Sequence, residues 1–155
     1  MNINNIFDFL GSYMVIISTL LITYLLYNKR HCVACGISLQ KYGYMFIIGG
    51  IINLFLKNIT KQSRPNDLSH LGIGYYYGMP SGHAQFSTFN IVILLYILCS
   101  IELKKLYKYL FIIAGGLIMI ITGYHRVYFG YHTINQVLVG TVVGFSLALL
   151  SILDI

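Results

Sequence analysis

This sequence predicts an all-α fold, a polytopic membrane helical bundle of about five transmembrane helices forming one domain over residues 1–155. Three observations lead there. Hydrophobic residues make up 57% of the chain and charged residues 9%, with a mean hydropathy of +0.76, whereas in soluble domains about a quarter of residues are charged. The apolar residues gather into runs approaching the ~20 residues that a helix needs to cross a bilayer. The ten Lys and Arg residues are scattered among the ends of these runs. That scatter excludes a nucleic-acid binder, which carries its cations along one polar face with stacking aromatics between them.

The first run, about Phe9 to Tyr27, is preceded by Asp8 and followed by Lys29-Arg30. A cleaved signal peptide has the opposite charge order, so this run is expected to stay as a membrane helix. Asn28 to Lys41 is a mixed segment. Of the three cysteines only Cys32 and Cys35 are close in sequence, which gives no disulfide framework. His31-Cys32-x-x-Cys35 lacks the second ligand pair of a structural zinc site, and no metal is expected there.

The second span runs from about Tyr42 to Leu56, and the loop from Lys57 to Met79 is the longest break in hydrophobicity. The third runs from about Pro80 to Ser100, the fourth from about Tyr109 to Thr122 and the fifth from about Thr133 to Leu153. Gly49-Gly50, Gly115-Gly116 and Gly140-x-x-x-Gly144 supply small surfaces on which helices approach closely where water provides no driving force.

Alternation of the spans puts the loop 57–79, the loop around Arg126 and the N-terminus on one side of the membrane. Lys29, Arg30, Lys41, Lys104, Lys105 and Lys108 fall on the other, which is cytoplasmic by the positive-inside rule. The active face is then expected to be lumenal or extracytoplasmic, in the endoplasmic reticulum if the setting is eukaryotic or viral. Asn58-Ile59-Thr60 is a glycosylation sequon on that side, but it adjoins a helix end and is expected to remain unmodified.

Three polar clusters interrupt the hydrophobic pattern on this face. Lys57 and Arg64-Pro65 stand at the end of the second span, with Pro65 stopping any helix. Pro80-Ser81-Gly82-His83 opens the third span; Ser81 can cap it, and the amides of Gly82 and His83 then point outward as an anion cradle. Gly82 also lets a phosphate come close to the backbone. Arg126 presents a planar fork of donors suited to phosphate oxygens and has no Asp or Glu near it in sequence. With a helix beginning near His132, the Gln136 amide oxygen accepts the His132 Nδ1–H across one turn and leaves Nε2 free to attack. The plain structural reading of these same residues is that Arg, Lys, His and Tyr anchor helices at the membrane interface. The tyrosines 75–77 and His70 either line an entrance or belong to that interface.

Taken together, Lys57-x6-Arg64-Pro65, Pro80-Ser81-Gly82-His83 and Arg126-x5-His132 resemble the three-part signature of the type 2 phosphatidate phosphatase superfamily, kin of the vanadium haloperoxidases. The resemblance covers about residues 42–153, the motif-bearing core. Two positions depart from the family pattern, His125 where it has Ser and Gln136 where it has Asp. The stretches from Tyr77 to Phe86 and from Val127 to Val137 are similar to the dolichyl-diphosphatase subgroup, in which Gln also replaces Asp; His125 and Gly82 are the departures from that subgroup.

The resemblance implies a lipid phosphatase that removes the terminal phosphate of a polyprenyl diphosphate without metal or other cofactor. His132 would be the nucleophile, forming a phosphohistidine, with Gln136 orienting it and His83 protonating the leaving oxygen. Lys57, Arg64, Ser81, Gly82 and Arg126 would hold the phosphoryl oxygens. The implied partner is a membrane lipid substrate. On this reading Gln136→Asp is expected to be tolerated, because a carboxylate supports the imidazolium. The alternatives are a broader phosphatidate or isoprenoid phosphate phosphatase, and a catalytically weak membrane protein that binds anionic lipid, suggested by His125 and Gln136.

Overall fold

The computed structural model describes residues 3–28, 36–67 and 76–153, with side chains from residue 13 onward in the first helix. Five helices follow in chain order among these residues: α1 (Ile3–Tyr27), α2 (Leu39–Thr60), α3 (Gly82–Ser100), α4 (Lys105–Tyr128) and α5 (Ile134–Ile152). The pair Cys32 and Cys35, together with His31, Lys29, Arg30, His70 and Tyr75, lies outside the described residues. Among the described residues no group of three His, Cys, Asp or Glu side chains gathers as metal ligands do.

Helices α2 to α5 are each long and apolar enough to cross a membrane. The 25 residues of α1 make about 37 Å of helix at 1.5 Å per residue, and its part from Tyr13 to Tyr27 is apolar. Large apolar side chains such as Leu20, Ile51, Phe55, Ile120 and Val142 stand exposed around the bundle. In water such a surface would drive aggregation; in a bilayer it is the lipid-facing coat. The chain is an integral membrane protein.

The starts of α2, α3 and α5 each have a local cause. Ser38 caps α2, accepting from the Lys41 N–H at 3.0 Å. Ser81 caps α3, and Thr133 caps α5 in a capping box with Gln136. Three expected spans prove too short: α1 begins at Ile3, before the expected Phe9, and α2 and α4 run on at their C-terminal ends. α2 runs past Leu56 and carries Lys57 in its last turn, and α4 runs past Thr122 to hold Arg126 on helix instead of loop. Hydropathy fails at these ends because Lys57, His125 and Arg126 face inward, where they are buried. α5 begins after His132, at Ile134, so His132 precedes the helix and is not on its face.

Helix α3 is the centre, packed most extensively on α5 and also against α4 and α1. The α3–α5 contact is close because of Gly140 and Gly144. A Cβ on Gly140 would meet the Ser81 backbone, and one on Gly144 would overlap the Gln85 carbonyl. Of the paired glycines, only one of each pair makes a close approach, Gly49 on Leu147 and Gly115 on Ile91, whereas Gly116 faces open space. Polar links supply what the hydrophobic effect cannot supply in lipid. Tyr42 of α2 donates its hydroxyl to Asn90 Oδ1 at 2.9 Å, and Asn90 Nδ2 donates to Thr19 Oγ1 of α1 at 2.8 Å. Asn90 thereby ties α1 and α2 to the central helix.

Candidate active site

The end of α2, the start of α3, the end of α4 and the start of α5 meet at one end of the bundle. Past α2, Lys61 takes a left-handed conformation (φ 46°) and turns the chain into a strap leading to Arg64. The strap is pinned from both sides. Gly78 N–H donates to the Gln62 carbonyl at 2.8 Å, and Asn66 donates through its backbone N–H to the Gly130 carbonyl and through Nδ2 to the Phe129 carbonyl, each at 3.1 Å. Arg64 is therefore held against the turn that carries His132.

His132 is 2% exposed. Its N–H donates to the Arg126 carbonyl at 3.0 Å, which fixes it to the end of α4. Arg64 Nη1 lies 2.9 Å from His132 Nε2, and His132 Nδ1 lies 3.2 Å from Gln136 Oε1. The tautomer follows from the partners. Arginine has donors only, so Nε2 must carry the lone pair, and Nδ1 must carry the proton that it donates to the Gln136 oxygen. Burial first, then the charges of Arg64 and Arg126, pull the imidazole down to about 3, while the Gln136 hydrogen bond acts in the raising direction. At neutral pH the ring is neutral, with its nucleophilic nitrogen turned toward a guanidinium.

Gln136 uses both ends of its amide. Oε1 accepts from His132 Nδ1 and from the Thr133 N–H, each at 3.2 Å, while Nε2 donates to the Ser63 carbonyl at 2.8 Å. Gly78 lies directly on this amide, and a Cβ there would overlap the Gln136 side-chain oxygen. The expected His132–Gln136 hydrogen bond is thus present, although it joins a residue before the helix to one in its first turn.

The remaining cations surround this pair. Arg126, 4% exposed, lays its guanidinium over the Tyr131 ring, 4.1 Å from the centroid. The Tyr131 carbonyl accepts from Arg64 Nη1 at 3.0 Å. His125 packs its ring on Phe129 and Tyr131, with centroids at 4.7 and 5.9 Å. Lys57, 8% exposed, lies within electrostatic reach of Arg64 and Arg126. His83 is half-buried in the first turn of α3, where the charges of Arg126, Arg64 and Lys57 and the His125 imidazole bear on it.

Ser81 is fully buried, its hydroxyl accepting from the Ala84 N–H at 3.5 Å and its own N–H donating to the Gln136 carbonyl at 2.9 Å. Gly82 is partly exposed and lies at ordinary contact distance from the Asn53 amide. The geometry brings Lys57, Arg64, Arg126, His83, His132 and Gln136 to one end of the bundle: three cations, a lone pair and an imidazole on the first turn of a helix. Such a cluster is suited to gripping a phosphoryl group and attacking it.

The sequence profile of the PAP2 superfamily matches residues 38–155. The chain belongs to the PAP2 superfamily. The chain is similar to human dolichyldiphosphatase 1, 31% identical over 106 residues, 63% of this chain and 44% of that protein. Dolichyldiphosphatase of Saccharomyces cerevisiae is 33% identical over 150 residues, 88% of this chain and 59% of that protein. Lipid phosphate phosphatase gamma of Arabidopsis thaliana is 30% identical over 103 residues, 63% of this chain and 45% of that protein. The chain thus spans about half the length of the curated relatives it matches. The crystal structure of a PAP2-type phosphatidylglycerolphosphate phosphatase from Bacillus subtilis superposes with a TM-score of 0.75 at 22% identity, covering 96% of this chain and 74% of that one. That likeness shows the PAP2 fold.

Several residues that shape this PAP2 site escape a reading of the motifs. Tyr131 engages both arginines, the Ser63 carbonyl anchors Gln136, and Gly78 makes room for it. Asn53 joins α2 to α3, its Nδ2 donating to Gln85 Oε1 at 2.8 Å, while Gln85 Nε2 donates to the Gly49 carbonyl at 2.8 Å. The one available signal was spacing, since Asn53 lies four residues before Lys57 on the same helical face.

Proposed function

We propose that this PAP2 protein is a metal-independent lipid phosphatase that hydrolyses the terminal phosphate of a polyprenyl diphosphate of the dolichyl type. The observation that carries the proposal is the placement of His132, with Nε2 turned to Arg64 and Nδ1 against the Gln136 amide oxygen. Nε2 attacks the terminal phosphorus, the bond to the bridging oxygen breaks, and the lipid monophosphate leaves from a phosphohistidine. His83 protonates the departing oxygen, then takes a proton from the water that cleaves the P–N bond, releasing inorganic phosphate and restoring His132. Lys57, Arg64 and Arg126, with Ser81 and Gly82 at the start of α3, stabilise the charge on the transferring group, a task that magnesium performs in other phosphoryl transferases. The dolichyldiphosphatase relatives support the choice of a polyprenyl diphosphate.

In this reading residues 1–155 act as one domain, tied together by Asn90, and the site opens on the lumenal face of the endoplasmic reticulum or its extracytoplasmic equivalent. The relative named lipid phosphate phosphatase gamma favours a second reading, a broader lipid phosphatase on the same chemistry.

The test is phosphate release from a polyprenyl diphosphate in detergent with a chelator present, by wild type and His132→Ala. Release that needs His132, with a trapped phosphoenzyme mapping to that residue, is the expected result. Turnover that disappears with the chelator, or survives the substitution, overturns the proposal. A panel of lipid phosphates separates the two readings, and cysteine labels at Asn66 and Lys105 report the orientation.

A further inference from the structure

We propose that a cleft beside Lys57 is the subsite for the lipid-side phosphate of a diphosphate substrate, and that this cleft selects lipid diphosphates over lipid monophosphates. The inference rests on the phosphatase reading above and adds a substrate-selecting site to it.

The cleft has a volume of about 160 Å³ and is lined by Leu54, Lys57, Asn58, Tyr76 and Tyr77. A water molecule's share of liquid volume is about 30 Å³, so a group of several heavy atoms fits. Leu54, Lys57 and Asn58 occupy one face of the last turns of α2, at i, i+3 and i+4. Tyr76 and Tyr77 come from the segment entering α3. The chemistry of the lining is a cation, an amide and two phenols, with one aliphatic side chain. Leu54 is half exposed and continues the apolar coat formed by Ile51 and Phe55 on α2. The cleft therefore joins a polar lining to the lipid-facing surface, as the junction of a head group and its tail requires.

Lys57 decides which part of the substrate lies there. It lines the cleft and also lies within electrostatic reach of Arg64 and Arg126, so it stands at the border between cleft and phosphoryl pocket. An ammonium is a compact charge with three rotatable donors and can serve oxygens on both sides. With the terminal phosphoryl group against His132 Nε2, the second phosphate follows through one bridging oxygen and meets Lys57 next. The lipid chain then leaves over Leu54. A lipid monophosphate would place an ester methylene where the diphosphate has charged oxygens, and the polar lining would gain nothing from it. Hydrogen bonds to a charged group are stronger than neutral ones, and the exposure of Asn58 and Tyr76 to solvent weakens theirs.

The experiment uses the full chain in detergent with one lipid tail carrying either a mono- or a diphosphate. It compares kcat/KM for wild type, Tyr77→Phe, Asn58→Leu and the double variant. The expected result is a fall of about tenfold in the diphosphate-to-monophosphate ratio in the double variant. Competition by inorganic pyrophosphate and by inorganic phosphate provides a readout free of the tail. Pyrophosphate should bind more tightly than phosphate to wild type, and the double variant should lose that advantage. Equal losses on both lipids, or a pyrophosphate advantage that survives the double substitution, overturns the proposal. If wild type hydrolyses neither lipid, the phosphatase reading fails, and the pyrophosphate comparison still decides whether the cleft holds a second phosphate.

Discussion

Arg64 Nη1 lies 2.9 Å from His132 Nε2, so the nitrogen that the proposed mechanism assigns as nucleophile accepts from a guanidinium. The arrangement keeps the lone pair on the correct nitrogen and lowers its affinity for a proton, and an arriving phosphate gives the same guanidinium an anion to bind.

The pH dependence follows from this contact. His132 is held down to about 3, with Arg64 the largest of the causes after burial. Because the folded pKa is lowered, the reactive neutral form persists as pH falls and is lost only near that value. Protonation of His132 in the free enzyme should add no acid limb to kcat/KM above about pH 4. In Arg64→Gln the folded pKa rises toward the ordinary value near 6.5, and a new acid limb should appear between wild type's and that value. Dividing the two pH profiles cancels the ionisation of the substrate, and a flat quotient would refute the assignment.

The Ser63 contact argues against the expectation that Gln136→Asp is tolerated. Gln136 Nε2 donates to the Ser63 carbonyl at 2.8 Å, and a carboxylate would place an acceptor against an acceptor there while reaching one methylene less far. Losing the tie removes one of the contacts that position the strap carrying Arg64. Gln136→Asp should lower kcat/KM by about tenfold or more, on the scale of 1–3 kcal/mol for an unsatisfied buried group. Activity equal to or above wild type would show that the Ser63 contact is dispensable.

Tyr131 serves the two arginines by different means, its ring beneath Arg126 and its carbonyl on Arg64. Tyr131→Phe keeps both interactions and should retain most activity. Tyr131→Leu keeps the carbonyl but removes the aromatic face, and a desolvated cation–π contact contributes about 2 kcal/mol. The inhibition constant of inorganic phosphate should rise about tenfold or more in Tyr131→Leu and change little in Tyr131→Phe. Equal effects in the two variants would remove the ring from the account.

The glycines provide a stability test of opposite signs. A Cβ at Gly144 would overlap the Gln85 carbonyl, whereas one at Gly116 meets open space. Helix propensity favours Ala over Gly by about 0.8–1.0 kcal/mol. Gly116→Ala should therefore leave the midpoint of thermal unfolding in detergent unchanged or raise it, and Gly144→Ala should lower it by several degrees. A neutral Gly144→Ala would mean that α3 and α5 are farther apart than described.

Residue identity along the chain was enough to give the class of protein and the residues gathered at one end of the bundle. Hydropathy places the chain in a membrane, and motif spacing puts Lys57, Arg64, His83, Arg126, His132 and Gln136 at span ends on one face, because both signals are written in residue identity over short stretches. The His132–Gln136 bond was readable for the same reason, since its partners are four residues apart. Tertiary structure alone decided the rest. Lys57 and Arg126 turn out to stand on helix because their side chains find a buried polar site, whose presence hydropathy does not register. The contacts that tune the site run from Arg64 to Tyr131 across 67 positions and from Gln136 to Ser63 across 73. In both the acceptor is a backbone carbonyl, a group that every residue possesses, so no residue type in the sequence marks it. Only the packing of α3, α4 and α5, which brings those carbonyls within reach, selects which ones hold the two side chains.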